Sequence, residues 1–479
     1  MGAVALFPEF PVSWLRVSVV KKTALDLARS LLNSSYAMAK LSRSSRPASY
    51  ALDQQAIRIL RENDWGGYTL PSQGLYPYQW NWDSMFVALG FSEIDLDRAW
   101  TEVESLFEGQ WGNGMAAHIV FRRDHPGYFP GPAIWGSGHN PPTSGLSQPP
   151  VAATVVRDLF EKDRTLGLDR LRRLFPKLIK WHRWFHTMRV ISGGTAIAVT
   201  HPWESGRDNS PDWDEALRAV DPTGVTPYTR RDLGHVDATM RPTQTDYDRY
   251  MKLVEYGRGT GWDHTQITRE GPFAVADPGI TFILMRADRD LKALAQYLGH
   301  RDSLYEIEGW LRSAYDTADY LWSEELGAFA ARDLRTGRFA SGISSVAFLA
   351  FYAGLLHPQR DIRLLEHLHR ILEAVPYGVP SFDPHHPGFE PRRYWRGPSW
   401  AIINYLIARG LIDAGLRDEA DRIRQQTQAM ITRAGFYEYF DPTDGTGAGG
   451  HHFTWTAAIW LAWASPMVDG SSDHPPVRN

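Results

Sequence analysis

Fourteen consecutive residues carry the densest chemistry in this chain: His201-Pro-Trp-Glu-Ser-Gly-Arg-Asp-Asn-Ser-Pro211, then Asp212-Trp213-Asp214. An indole, Trp203, stands beside two carboxylates, Glu204 and Asp208, each a candidate acid. Sugar chemistry asks for this combination. An aromatic face stacks on a pyranose, and burial raises the pKa of the carboxyl that must donate a proton. Ser210 suits an N-cap, Pro211 the first helical position, and Asp212 the first turn, where it complements the dipole. Trp203 to Asn209 would then form a loop delivering side chains to a helix entrance. An ordinary capped loop fits the same residues, so the stretch needs company.

Five other stretches supply it. In Tyr76-Pro-Tyr-Gln-Trp-Asn-Trp-Asp83, Trp80, Trp82 and Asp83 lead into an apolar helix. Asp83 could hold two sugar hydroxyls while an indole covers the ring face, or it could only complement a helix dipole. Between Gln110 and Pro150, Tyr128 lies between Gly127 and Pro130 like the tip of a mobile flap. Gln148, just ahead of Pro149-Pro150, sits where an amide could reach a pocket. Arg241, in the Pro-bounded run that leads to Tyr247, could clamp a carboxylate with both arms of its fork, or stand solvated. Tyr394-Trp395-Arg-Gly397-Pro-Ser-Trp400 places aromatics and a glycine ahead of another helix. Glu438, flanked by Tyr437 and Tyr439, is an odd residue for a core and a natural one to aim into a cleft.

The elements that must position these residues are helices. Apolar residues recur at i, i+3, i+4 over roughly 50–63, 82–90, 95–108, 149–165, 168–187, 244–257, 278–298, 301–323, 341–355, 360–374, 398–414, 417–433 and 452–464. Two short alternating runs, Ile197–Thr200 and Phe329–Arg332, read as minor hairpin pieces. Connections are short at one end and long, Gly-, Pro- and aromatic-rich at the other, notably over roughly 109–148, 199–243 and 376–400. That alternation predicts an all-α chain: an α/α toroid with long loops capping one mouth. The 479 residues show no linker, so 47–466 is read as one catalytic domain. Before it, 1–46 is read as a poorly ordered leader with a helix near Thr23–Leu41, and 467–479 as a disordered tail. The natural start could also lie at Met38.

Composition narrows the partners. A net charge of −4 is too balanced to point to nucleic acid or an anionic membrane surface. The absence of cysteine removes disulfides and thiolate chemistry. His385-His386 and His451-His452 lack an i, i+4 partner or an acidic third ligand, so no metal is expected. No phosphate loop or dinucleotide fingerprint occurs, and no cofactor is expected. Nineteen tryptophans suit either core packing or a carbohydrate cleft.

Taken in order over about residues 51–464, these stretches resemble glycoside hydrolase family 63, in its compact branch of mannosylglycerate and glucosylglycerate hydrolases. The motifs are Q-W-N-W-D-S, G-Y-F-P-G-P, T-S-G-L-S-Q-P-P, H-P-W-E-S-G-R-D-N-S-P, R-P-T-Q-T-D-Y-D-R-Y, Y-W-R-G-P-S-W and F-Y-E-Y-F-D-P. The resemblance implies an (α/α)6 barrel and hydrolysis with inversion, with Asp208 as general acid and Glu438 as general base. It implies sugar contacts from Trp80, Trp82, Asp83, Trp203, Tyr394, Trp395, Gly397 and Trp400. It implies glycerate contacts from Tyr76, Tyr128, Gln148, Arg241 and Tyr247. Two departures bear on specificity: Gly449-Gly450-His451-His452 stands where a more polar loop is expected, and Arg207 fills the variable place before Asp208.

The expectation is therefore an inverting α-glycosidase acting on a small acidic glycoside, 2-O-α-mannosyl- or glucosyl-glycerate, in the cytoplasm, with room for a homo-oligomer. A trehalase-like enzyme for neutral α-glucosides, a histidine-based sugar epimerase and a non-catalytic sugar-binding protein are the rivals.

Overall fold

The computed structural model describes residues 50–190 and 196–467. The chain divides into Met1–Ala51, of which only Tyr50 and Ala51 are described, and one compact unit from Leu52 onward. The leader and helix expected within 1–46, and the tail expected over 467–479 apart from Met467, lie outside the described residues.

Among the described residues, six helices close a ring. They are Asn81–Phe91, Ala152–Lys162, Pro278–Leu298, Leu349–Ala353 with its preceding turn Ser345–Phe348, Ala401–Asp413, and Thr454–Ile459 with its continuation Trp460–Ala464. Each packs on the next, and the sixth packs on the first. Outer helices alternate with them along the chain: one ending at residue 62, then Leu96–Leu106, Arg164–Trp184, Arg301–Arg312 with Ala314–Leu321, Pro358–Ala374, and Arg417–Ala434. This is the (α/α)6 barrel.

The two rings differ in sequence for a physical reason. An inner helix touches protein on every side, and every residue of Asn81–Phe91 is buried. An outer helix needs only one apolar stripe. Arg417–Ala434 buries Ala420, Ile423, Thr427, Met430 and Ile431, at helical spacing, and leaves the rest to solvent.

Inner-to-outer connections are short, such as Ser92–Asp95 and the single residue Asp163. Asp163 breaks the continuous helix expected over 149–165. Its carboxylate caps Arg164–Trp184 by accepting from the N–H groups of Thr165 and Leu166. The outer-to-inner connections, 63–80, 107–151, 185–277, 322–344, 375–400 and 435–453, are the long ones. They bring the inner helices' N-terminal ends to one mouth.

Strands are few and sit in these loops. The expected hairpin pieces do not pair with each other. Ala198–Val199 pairs with Val275–Ala276, which pairs with Arg332–Asp333, while Ala328–Phe329 pairs with Trp322–Ser323. A hairpin unforeseen in the sequence, Tyr437–Phe440 with Gly447–His451, carries Glu438. Among the described residues no helix is long and apolar enough to cross a membrane.

Candidate active site

The floor of the mouth is built at the first inner helix. Trp80 holds an extended conformation as its N-cap, and Asn81 is fixed by donating to the carbonyls of Ala116 and Ala117 (3.3 and 3.2 Å). Gln148, at the entrance of the second inner helix, accepts the N–H of Trp82 on Oε1 (3.2 Å). Trp80, Trp82, Asp83 and Gln148 all line one cavity. Burial, reinforced by the charges of Glu438 and Asp208, pushes the Asp83 carboxyl well above the usual range.

One wall comes from the central stretch, where its two carboxylates separate. Glu204 is fully buried and both its oxygens accept from Arg189 Nε (3.1 Å each), while Oε2 also takes Thr200 N–H and Oγ1. It has nothing left to offer a substrate. A one-turn helix, Pro202–Ser205, then ends on Gly206 at φ 70°, where a Cβ would lie 2.7 Å from the Trp82 ring. That turn directs Asp208 into the cavity. Ser210 caps the next short helix at Pro211, as expected. The Asp208 backbone is pinned by Tyr250, whose hydroxyl donates to its carbonyl (2.7 Å). Its carboxyl takes no hydrogen bond from another side chain among the described residues. Burial raises it from 3.8 to about 7; Arg241 pulls it down, and Glu438 and Asp232 push it up.

The opposite carboxylate is Glu438. The hairpin shifts register between Tyr437 and Tyr439, a bulge that re-aims the side chain between them. Glu438 Oε1 accepts from the hydroxyls of Tyr76 (2.8 Å) and Tyr394 (3.0 Å), and Oε2 from Gly450 N–H (2.9 Å). Gly449 sits at φ 72°, and a Cβ there would lie 2.4 Å from Glu438 Oε2. The glycine pair that departs from the expected polar loop thus gives Glu438 its room and a backbone donor. Burial raises the Glu438 pKa; Arg241 and the three donors oppose it.

The far end and roof are polar. Arg241 is buried, donates through Nη1 to Tyr76 (3.1 Å) and through Nε to Asp232 (3.2 Å), and lies 4.2 Å from the Tyr394 ring centroid. Arg230 grips both oxygens of the same Asp232 (3.0 and 2.6 Å), so two guanidiniums share one carboxylate. Burial works against the charge on Arg241, and Tyr76, Tyr394, Asp232 and Glu438 more than offset it. Phe129, beside Tyr128, stacks on Tyr228 (5.0 Å between centroids), and its carbonyl accepts the Tyr247 hydroxyl (3.3 Å). The Tyr128 segment is thereby fastened to the segment that carries Arg241.

Residues 76–456 match the family model described as the "Mannosylglycerate hydrolase MGH1-like glycoside hydrolase domain". The chain belongs to glycoside hydrolase family 63, in this MGH1-like branch. It is 46% identical over 409 residues to mannosylglycerate hydrolase MGH1 of Selaginella moellendorffii, covering 85% of this chain and 84% of that one. It is 33% identical to glucosylglycerate hydrolase of Mycolicibacterium hassiacum, covering 86% and 97%. The crystal structure of GH63 mannosylglycerate hydrolase from Thermus thermophilus with Tris and D-glycerate is 44% identical. Its TM-score is 0.83, with 86% of this chain and 99% of that one covered.

Set in this family 63 barrel, the residues singled out in the sequence fall into two groups. Tyr76, Trp80, Trp82, Asp83, Tyr128, Gln148, Trp203, Asp208, Arg241, Tyr247, Tyr394 and Glu438 line the cavity. Trp395, Gly397 and Trp400 do not: they stand behind the wall. Trp395 stacks flat on Trp400 (3.7 Å, 5°) and leans on Trp82, while Gly397 packs where a Cβ would lie 2.6 Å from the Glu390 carbonyl. The sequence reading missed cavity residues His118, Phe129, Arg231, Asp232, His235, Phe453 and Trp455. The run Arg230-Arg231-Asp232 was a readable signal, a charged cluster inside a long loop. His118 gave none, and its imidazole, pushed down to about 3 by burial and by His201, stays neutral.

Proposed function

We propose that this glycoside hydrolase hydrolyses a 2-O-α-glycosyl-D-glycerate, the mannosyl or glucosyl compound, to free sugar and D-glycerate with inversion. One observation carries the reading: a single cavity brings together the Asp208 carboxyl, free of side-chain hydrogen bonds, the Glu438 carboxyl, held by three donors, and, at its far end, the buried cation Arg241. Asp208, without a side-chain partner and raised to about 7, keeps a proton to give at neutral pH. Glu438, held by three donors on two oxygens, is built to accept one. Asp208 protonates the glycosidic oxygen as the bond to the anomeric carbon breaks. Glu438 takes a proton from the water that attacks the opposite face. Trp203, Trp80, Trp82 and Asp83 face the sugar. Arg241, Tyr76, Tyr128, Gln148 and Tyr247 face the aglycone, where the planar fork answers the glycerate carboxylate.

The relatives named for mannosylglycerate stand nearer in identity than the one named for glucosylglycerate, which favours the mannosyl compound. A cysteine-free chain needs no oxidising compartment, and the cytoplasm suits it. The test is incubation with mannosylglycerate, glucosylglycerate, trehalose and the glycerol analogue of each glycoside, following free sugar by NMR. The β-anomer should appear first, from a glycosylglycerate. Preference for trehalose or a glycerol glycoside would overturn the aglycone, and an α-anomer would overturn inversion.

A further inference from the structure

Arg241, at the far end of the cavity, is linked from there to Glu438. Its Nη1 donates to the Tyr76 oxygen (3.1 Å), and the Tyr76 hydroxyl donates in turn to Glu438 Oε1 (2.8 Å). A phenol has one proton to give. Arg241 can only donate, so that proton points at Glu438, at 2.8 Å, or at the Tyr394 oxygen, at 3.2 Å; the shorter contact is the one to Glu438, and an ionised Glu438 accepts from both phenols at once. Tyr394 repeats the pattern: its hydroxyl donates to the same oxygen (3.0 Å) while the Arg241 guanidinium lies 4.2 Å from its ring centroid. Gly450 N–H fills the other oxygen (2.9 Å).

Behind Arg241, Asp232 takes Nε on Oδ2 (3.2 Å), yet Arg230 already holds both oxygens of that carboxylate at 3.0 and 2.6 Å. Asp232 therefore orients the Arg241 fork and leaves its charge directed at the cavity. The charged and titratable groups that face Glu438 are Arg241, Tyr76, Tyr394, Tyr439, Asp83 and Asp208, with His451 after Gly450 at the end of the paired strand and His452 just beyond it. Burial opposes ionisation of Glu438, and Arg241 leads the groups that support it.

We propose that Arg241 is a positioning residue for the general base as well as the aglycone's anchor: through Tyr76 it holds Glu438 ionised and aimed, with Asp232 and Arg230 setting its fork. The proposal rests on the reading of Glu438 as base and is independent of which aglycone the enzyme takes. It has a consequence for substrate comparisons. Loss of Arg241 harms neutral glycosides too, through the base, so equal damage to both substrates does not make the residue merely structural.

The experiment is a set of pH profiles of kcat and KM for the full-length enzyme on mannosylglycerate and on its glycerol analogue. The variants are Tyr76→Phe, Arg241→Gln, Arg241→Lys and Glu438→Gln. In Tyr76→Phe and Arg241→Gln the acid limb of kcat should move up by about one pH unit on each substrate that is turned over. Arg241→Gln should also raise KM about ten- to a hundred-fold for the glycerate alone. Arg241→Lys, which keeps the charge but not the fork, should restore the acid limb and leave KM raised. Acid limbs that stay in place in both Tyr76→Phe and Arg241→Gln, beside an inactive Glu438→Gln, overturn the linkage and leave the base assignment standing. A Glu438→Gln enzyme that keeps turnover overturns both.

Discussion

Glu204 and Asp208 lie four residues apart in the same stretch, and both are enclosed by protein, yet they have opposite surroundings. Every oxygen of Glu204 is answered by Arg189 and Thr200, with Arg189 itself wholly buried. Asp208 is fixed by its backbone, through Tyr250, while its carboxyl faces an open cavity without a side-chain partner. A buried carboxylate with all its partners is structure, because breaking the pair strands a charge. One left without partners is kept by selection for something other than stability, since the protein bears its desolvation.

The comparison breaks most sharply in turnover. Asp208→Asn should lower kcat on a glycosylglycerate by about 10²–10⁴-fold, the range for a lost general acid, with folding intact by circular dichroism. Near-normal turnover would end its assignment. Glu204→Gln should do the reverse. Arg189 would be left buried without its charge partner, costing about 3–5 kcal/mol in a denaturant titration, while each folded molecule keeps most of its kcat.

A smaller effect tests the turn that separates the two carboxylates. Gly206→Ala forces a Cβ to within 2.7 Å of the Trp82 ring at a φ of 70°. Overpacking of this kind costs about 1–3 kcal/mol, and displacement of the neighbouring Asp208 should lower kcat with little change in KM. An unchanged kcat would show that Asp208 is aimed by Tyr250 alone.

A further effect is in stability against pH, where the sign is fixed by the Asp208 shift from 3.8 to about 7. Between those values the native state holds a proton that the unfolded chain has released, so native stability falls as pH rises through the window. Asp208→Asn removes that penalty. Its Tm should match the wild type near pH 4 and exceed it at pH 8, whereas Glu204→Gln should lie below the wild type throughout. With Asp208 as the proposed acid, the same protonation predicts that wild-type kcat/KM declines as pH rises past about 7.

Much of this was legible in the chain. The stripe of Ala420, Ile423, Thr427, Met430 and Ile431 announces an outer helix, because one-sided burial writes a 3.6-residue period into the sequence. The alternation of short and long connections announced a barrel with one decorated mouth. Trp80, Trp82, Asp83, Gln148 and Arg241 could be picked out because loop and helix-entrance residues with polar or aromatic tips are where a cavity is built. The Glu438 hairpin was not legible. Gly447–His451 has neither the β-branched residues nor the alternation that marks a strand, and its glycines are set by closeness to Glu438 rather than by local preference.

By itself, then, the sequence determined which helices form, which faces they bury and which side chains stand at their entrances, since those follow from local period and capping. The residue types and spacing left Glu204 and Asp208 both open as the acid, and only the family resemblance picked Asp208; the physical ground for choosing lies in the fold. That choice depends on Arg189, reaching Glu204 from the end of an outer helix, and on Tyr250 holding the backbone of Asp208. Nor could the sequence bring Glu438 to Tyr76 or Asp232 to Arg241. A carboxyl's charge state is set by its hydrogen-bond donors, its neighbours' charges and its distance from water, and only the folded chain supplies those.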